Sequence, residues 1–223
     1  MSVCAVIPAY NEASRIHKVL DILTQAPSVS EIIVVDDGST DGTFDAVSQH
    51  PSAQAGNPDC KIRVLRHHPN RGKGAAMVTG AENTDAGIVL FLDADLVGLN
   101  IEQVESMTAP VISEQYVMAL GVFRGGRGAT TLAQILAPNI SGQRCIRRGL
   151  FLSIPCVSKS GYGVELAITG FVMGEGLPIV RVVLKDVTHP MKEEKLGWIR
   201  GIGSRLRMYG QMFPYLLKRN CRR

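Results

Sequence analysis

The chain predicts an α/β fold: one mostly parallel sheet flanked by helices, in a single domain with a C-terminal helical extension. Three observations predict it. Short apolar runs recur along the first half, and each is followed by a segment with helical spacing. The runs are apolar throughout rather than alternating, as strands buried on both faces are. With 223 residues and a 45% hydrophobic share, the chain can fill one proper core.

In order, Val3 to Ile7 is the first strand. Glu12 to Gln25 has helical spacing, with Ile16, Val19, Leu20 and Leu23 on one face. Ile32 to Val35 is the second strand, and Ser39-Thr40-Asp41 reads as a helix cap before Phe44 to Val47. Ser52 to Asp59 is a polar turn region. Ile62 to Leu65 is the third strand, Gly72 to Glu82 the third helix and Ile88 to Leu92 the fourth strand. The second half is less regular. Tyr116 to Val122 is a further strand, and Gly125, Gly126 and Gly128 then break the chain around Arg124 and Arg127. Tyr162 to Met173 reads as a helix, Ile179 to Leu184 as a strand, and Leu196 to Leu217 as a long basic helical segment.

Composition narrows the function. A net charge of +4 suits an anionic substrate or a membrane surface and is too weak to argue for nucleic acid. The five cysteines (Cys4, Cys60, Cys145, Cys156 and Cys221) are scattered, with no CxxC pair. That excludes a disulfide framework and zinc spacing, and points to reduced thiols in the cytoplasm. No run of about 18 apolar residues and no signal peptide is read, so no transmembrane helix is expected.

Asp93-Ala94-Asp95 closes the apolar run Ile88 to Leu92. In open α/β sheets ligands bind at the carboxyl ends of the strands. Strand alternation would point Asp93 and Asp95 to the same side, where two hard oxygen donors suit a divalent cation that bridges to phosphates. Three earlier loops follow strands and open helices: Pro8 to Glu12, Asp36 to Gly42, and Asn70 to Gly74. All should share one sheet edge with Asp93 and Asp95. Asp37 can accept from a base N–H or a ribose hydroxyl. Gly72 and Gly74 let the backbone approach a ligand, and Lys73 brings positive charge to a phosphate. Glu165 sits in an otherwise apolar helix and should face a cleft or a cation. His189 follows a strand, beside Pro190, and is a candidate ligand against a structural or solvated histidine.

VIPAYNE, VVDDGSTDGT, NRGKGAAM and FLDAD resemble the nucleotide-binding half of family 2-type, GT-A-fold (Rossmann-like) glycosyltransferases, in order over residues 3–96. The resemblance implies a nucleotide-diphosphate sugar donor. It also implies three segments: a donor-binding half (1–96), an acceptor and catalytic half (97–195) and a basic C-terminal helical segment (196–223). By that resemblance Pro8, Ala9, Tyr10, Glu12 and Asp37 contact the nucleoside, and Lys73 lies by the base or diphosphate. Asp93 and Ala94 complete the donor site. Asp95 binds Mg2+ or Mn2+.

Ser160 to Glu165, followed by Asp186 to His189, resembles the GYGVE helix and late histidine of glucosyl-3-phosphoglycerate synthases. There the histidine completes the metal site, which gives His189 that role. Gly126-Arg127 resembles their acceptor loop. The implied catalytic set is Asp95, Glu165, Lys73 and Arg127. Ser141 to Arg148 instead resembles the SGxRxxRR segment of polyprenyl-phosphate sugar synthases, and the processive QxxRW motif is absent.

The expected activity is therefore metal-dependent transfer from a UDP- or GDP-linked sugar to a small anionic acceptor such as 3-phosphoglycerate, held by Arg127 with Arg144 as a second contact. The alternative is a polyprenyl-phosphate glycosyltransferase at the membrane surface, docked through the basic segment Leu196 to Arg223. A homodimer is compatible with either. A sugar-phosphate nucleotidyltransferase is a reading of another class, disfavoured because PAYNE stands where such enzymes carry a glycine-rich loop. A non-catalytic nucleotide-sugar-binding module is the third, and intact Asp93, Asp95 and Lys73 argue against it.

Overall fold

The computed structural model describes residues 1–53, 61–124, 141–159 and 163–188. They carry seven strands: β1 (Val3–Ala9), β2 (Val29–Asp36), β3 (Ile62–Arg66), β4 (Ile88–Phe91), β5 (Met118–Arg124), β6 (Arg144–Arg147) and β7 (Ile179–Lys185). These form one sheet in the order β3-β2-β1-β4-β6-β5-β7. All neighbours pair parallel except β6, which is antiparallel to both β4 and β5. The helices are α1 (Ile16–Gln25), α2 (Thr43–Ser48), α3 (Lys73–Glu82), α4 (Ile101–Ile112), α5 (Arg148–Leu152) and α6 (Val164–Gly174).

The unbroken apolar runs are explained by two cores, one on each face. In β1, Val3, Ala5 and Ile7 pack with Ile16, Val19, Leu20 and Leu23 of α1 and with Val104, Met107 and Val111 of α4. Cys4 and Val6 face the other way, against Ala76 and Met77 of α3 and Val164, Ile168 and Val172 of α6. Each buried Val, Leu, Ile or Met contributes about 1.5–3 kcal/mol, so neither face of β1 can be made polar without loss of the fold.

Several boundaries differ from the sequence reading, for local reasons. Residues before Ile16 form a turn, with the Arg15 and Ile16 amides donating to the Glu12 carbonyl at 3.0 Å. The loop from β1 is tied sideways to the next loop, so α1 begins later than Glu12. Ser39 does not cap α2: its hydroxyl accepts from the Asn11 amide, and the N-cap is Gly42. Ladder pairing of β4 ends at Phe91, so Asp93 and Asp95 lie in the turn beyond it and strand alternation does not set their directions. Three elements, α4, β6 and the short α5, are additional to the sequence reading. Helix α4 opens on a capping box, Asn100 and Gln103 each accepting from the other's backbone amide. Strand β6 contains two arginines in four residues.

The topology places the site. Strands β2 and β3 lie to one side of β1, and β4 and β6 to the other. The order reverses between β1 and β4, which opens a crevice at their carboxyl ends. Because β6 runs antiparallel, Arg144 pairs with Phe91. The residues that enter β6 therefore arrive at the same edge as the acids that leave β4.

Candidate functional site

The first two loops are stitched together by side chains. The Asn11 amide donates to Ser39 Oγ at 2.9 Å and the Glu12 amide to Thr43 Oγ1 at 2.9 Å. The Thr40 amide donates to Asn11 Oδ1 at 2.9 Å, and Asp41 accepts from the Ala13 and Thr43 amides. This fixes the PAYNE segment and leaves Tyr10 at the rim, with about half its surface (51%) exposed. Glu12 lies 3.7 Å from Arg15. Pro8 and Ala9 close β1 beneath it.

Asp37, at the end of β2, faces inward and is only 4% exposed. Its Oδ1 accepts from the Arg71 amide at 2.9 Å and contacts His67 Nδ1 at 2.7 Å. Its Oδ2 accepts from the Gly72 amide at 2.8 Å. The Asn70 side-chain amide donates to the Asp37 carbonyl at 2.7 Å. Gly38 (φ +76°) lets the second loop lie against this one, since a Cβ there would sit 2.9 Å from the Asn70 nitrogen. The sequence assigns Asp37 to the nucleoside. The structure shows that it grips the NRGKG loop, while Oδ2 keeps lone-pair capacity for one further donor.

Lys73 is the first residue of α3, immediately beyond the amides that Asp37 holds. Its ammonium lies 2.7 Å from Asp93 Oδ1 and 2.6 Å from Glu165 Oε1. The three side chains are 23%, 19% and 10% exposed, so the cluster is largely shielded from water yet open to the edge. Burial alone would lower the Lys73 pKa, but the two carboxylates outweigh it and hold the ammonium above the usual lysine range.

A second layer holds Asp93. Gln143 donates from Nε2 to Asp93 Oδ2 at 2.9 Å, and Ser141 Oγ donates to Gln143 Oε1 at 2.9 Å. Gly142 packs so close that an added Cβ would overlap both Asp93 oxygens. Gln143 was not singled out by sequence reasoning; its only signal was membership of the Ser141 to Arg148 segment. Arg144, expected as a second acceptor contact, is fully buried. It donates to the Glu165 and Ser141 carbonyls, beneath α6. Burial pushes its guanidinium down to about 10, against the pull of Glu165 and Asp93, so it stays cationic at neutral pH. It supports the site from below and does not face an acceptor.

The structure thus brings Lys73, Asp93, Glu165 and the Asp37 loop to one edge, with Ala94 and half-buried Asp95 in the turn after β4. Arg127, His189, the Gly125 to Gly128 loop and the segment Leu196 to Arg223 lie outside the described residues. Among the described residues no three His, Cys, Asp or Glu side chains gather into a metal cage. Asp93 contacts Lys73 and Gln143, and half-buried Asp95 is the second carboxylate in the segment that leaves β4. This donor set fits Mg2+ or Mn2+ bound through one or two carboxylates and completed by a ligand's phosphate oxygens.

Comparison with known proteins identifies the fold and the family. The structure aligns with glucosyl-3-phosphoglycerate synthase of Mycobacterium tuberculosis, solved in complex with Mn2+, uridine diphosphate and glucosyl-3-phosphoglycerate. The TM-score is 0.73 and the identity 27%, over 98% of this chain and 79% of that one. Glycosyltransferase AglE of Haloferax volcanii is 36% identical over 96 residues, 42% of this chain and 30% of that protein. Dolichyl-phosphate beta-glucosyltransferase ALG5C of Trichomonas vaginalis is 36% identical over 99 residues, 40% of this chain and 28% of that protein. The chain thus matches less than a third of the length of these two curated relatives. The sequence model of glycosyl transferase family 2 matches residues 4–159, more than half of the chain, across all four loops of the edge. With its GT-A-like α/β sheet, the chain belongs to glycosyl transferase family 2.

Proposed function

We propose that the chain is a metal-dependent glycosyltransferase that moves a sugar from a UDP- or GDP-linked donor to a small phosphate-bearing acceptor such as 3-phosphoglycerate. The observation that carries this reading is the Lys73 ammonium, held 2.7 Å from Asp93 and 2.6 Å from Glu165. It joins the donor loops to the second-half helix at the strand edge, where a departing diphosphate would need positive charge. The likeness to a synthase solved with Mn2+, uridine diphosphate and a phosphoglycerate product supports the choice of acceptor.

In this reading Pro8, Ala9, exposed Tyr10, Glu12 and Asp37 hold the nucleoside, and Asp93 and Ala94 flank the ribose. Lys73 faces the diphosphate, Glu165 lies beside the transferred sugar and Arg127 holds the acceptor anion. Cleavage of the bond from the anomeric carbon to the diphosphate oxygen leaves the electron pair on that oxygen, while an acceptor hydroxyl oxygen bonds to the anomeric carbon and its proton passes to the departing diphosphate. Lys73 lowers the barrier by meeting that charge with a fixed cation. Asp95 and His189 would hold a divalent ion, which would supply Lewis-acid stabilisation of the same diphosphate. No side chain has to act as a nucleophile.

A second reading, transfer to a polyprenyl phosphate at the membrane surface, is favoured by the match to a dolichyl-phosphate glucosyltransferase. Among the described residues no helix is long and apolar enough to cross a membrane, so docking would fall to the basic segment Leu196 to Arg223. Family membership argues against the nucleotidyltransferase alternative.

Parallel assays with labelled UDP- and GDP-sugars decide between the acceptors. Transfer to 3-phosphoglycerate is expected to exceed transfer to a detergent-dispersed polyprenyl phosphate by at least about tenfold. The reverse preference would replace the first reading by the second. Donor binding with no transfer to either would leave a non-catalytic module.

A further inference from the structure

His67 has no place in the reading above. It is 5% exposed and lies directly after β3. One ring nitrogen, Nδ1, is 2.7 Å from Asp37 Oδ1, and the other, Nε2, is 2.9 Å from Thr79 Oγ1 on α3. Asp37 in turn holds the Arg71 and Gly72 amides, the two that precede Lys73. The contacts close a ring: from Asp37 through two amides to the start of α3, along α3 to Thr79, and back through His67 to Asp37.

We propose that His67 is a positioning residue for sugar transfer. It fixes the Asp37 carboxylate against the body of α3, and Asp37 fixes the loop that presents Lys73. The inference rests on the donor-site reading, in which Lys73 meets the diphosphate.

Three features support it. Asp37 takes three N–H partners: two are the amides that lead into α3, and the third, His67, stands at the β3 end of the same connection. A carboxylate bonded to two successive amides alone could pivot about them. A third bond from a ring that is itself tied to α3 removes that freedom. Thr79 lies about 1.7 turns along α3 from Lys73, so the tie is made to the body of the helix and not to its first turn. A buried imidazole between a carboxylate and a hydroxyl is also fully satisfied: Nδ1–H donates to Asp37 and Nε2 accepts the Thr79 hydroxyl proton. The arrangement therefore needs no charge on the ring to hold.

The two ring contacts can be separated by substitution. An asparagine amide reaches roughly where Nδ1 stood, and a glutamine amide roughly where Nε2 stood. The variants are His67→Asn, His67→Gln, His67→Phe and Thr79→Val in the full chain. The first readout needs no ligand: hydrogen exchange of the Arg71 and Gly72 amides. Exchange there is expected to quicken by at least about tenfold in His67→Phe and His67→Gln, and by less than about threefold in His67→Asn. Thr79→Val should fall between. The second readout is calorimetric titration with UDP or GDP in the presence of Mn2+. The nucleotide that wild type binds should bind at least about tenfold more weakly to His67→Phe and His67→Gln, with His67→Asn near wild type.

A residue that only fills core volume would give no advantage to asparagine over glutamine in either readout, and that result overturns the proposal. Unchanged amide exchange in His67→Phe overturns it too, as does quickened exchange with unaltered nucleotide affinity. If wild type binds neither nucleotide, the donor-site reading fails. The positioning role falls with it, while the exchange data still report whether the Asp37 anchor exists. Melting curves of all four variants identify any that fail to fold, and His67→Asn against His67→Gln is the comparison retained in that case.

Discussion

Lys73→Met is expected to reduce sugar transfer by about 100-fold or more, the scale seen when one fixed donor to a developing oxyanion is removed. The loss should fall mainly on kcat, because the charge that Lys73 meets grows as the sugar–diphosphate bond breaks. The same change should lower stability. Asp93 and Glu165 both lie within 2.7 Å of the lysine nitrogen, and without it they lose the cation that stands between them. Removing one partner of a fully buried pair costs about 3–5 kcal/mol. These side chains keep some exposure, so a smaller cost of about 1–3 kcal/mol is expected, after discounting for solvent screening. Lys73→Arg retains the charge and should recover most of the stability, but less of the activity, because a planar fork does not replace a point cation between two acids. Steady-state kinetics and melting curves on the two variants check both parts. Activity within about threefold of wild type in Lys73→Met would remove the lysine from the reaction.

The second large effect concerns Asp95. Asp95→Ala should lower transfer by at least about tenfold, and excess EDTA should do the same to the wild type, with recovery on adding Mn2+ or Mg2+. The melting temperature should fall less than in Lys73→Met, because Asp95 lies half-buried in a turn beyond the ladder of β4. This separates it from Lys73→Met, where activity and stability fall together. Full activity in Asp95→Ala or in EDTA would end the metal role.

How much of this was legible in the sequence depended on where the information lay. The first four strands and the first and third helices could be read because each signal is local: an apolar run, or a 3.6-residue spacing. The strand-end placement of Asp37, Lys73 and Asp93 followed from order along the chain. Strand β6 could not be read this way. Two arginines in four residues hide it, and Arg144 is tolerated there because the nearby Ser141 and the distant Glu165 carbonyls accept from it. Helix α4 did carry a signal, Asn100 three residues before Gln103 and apolar residues at Ile101, Val104, Met107 and Val111, which a capping-box search would have found.

The partners within the site were invisible for a further reason. Gln143 meets Asp93 from 50 residues away, and His67 meets Asp37 from 30. Neither distance leaves a periodic trace. Asp37 shows the cost: its residue type suggested a ligand contact, while its geometry reveals a loop anchor as well. The alternation argument for Asp93 and Asp95 does not apply, because pairing stops at Phe91, one residue before the strand was expected to end.

The central claim is that a nucleotide diphosphate sits at the carboxyl edge of the sheet, between the four loops and Lys73. The most direct measurement is a crystal structure of the chain with UDP or GDP and Mn2+. The account predicts a phosphate oxygen within about 4 Å of Lys73 Nζ, the distance of an ion pair, with the metal on Asp95 and the base near Tyr10. A nucleotide bound away from both Lys73 and Asp95, or at the opposite edge of the sheet, would contradict it.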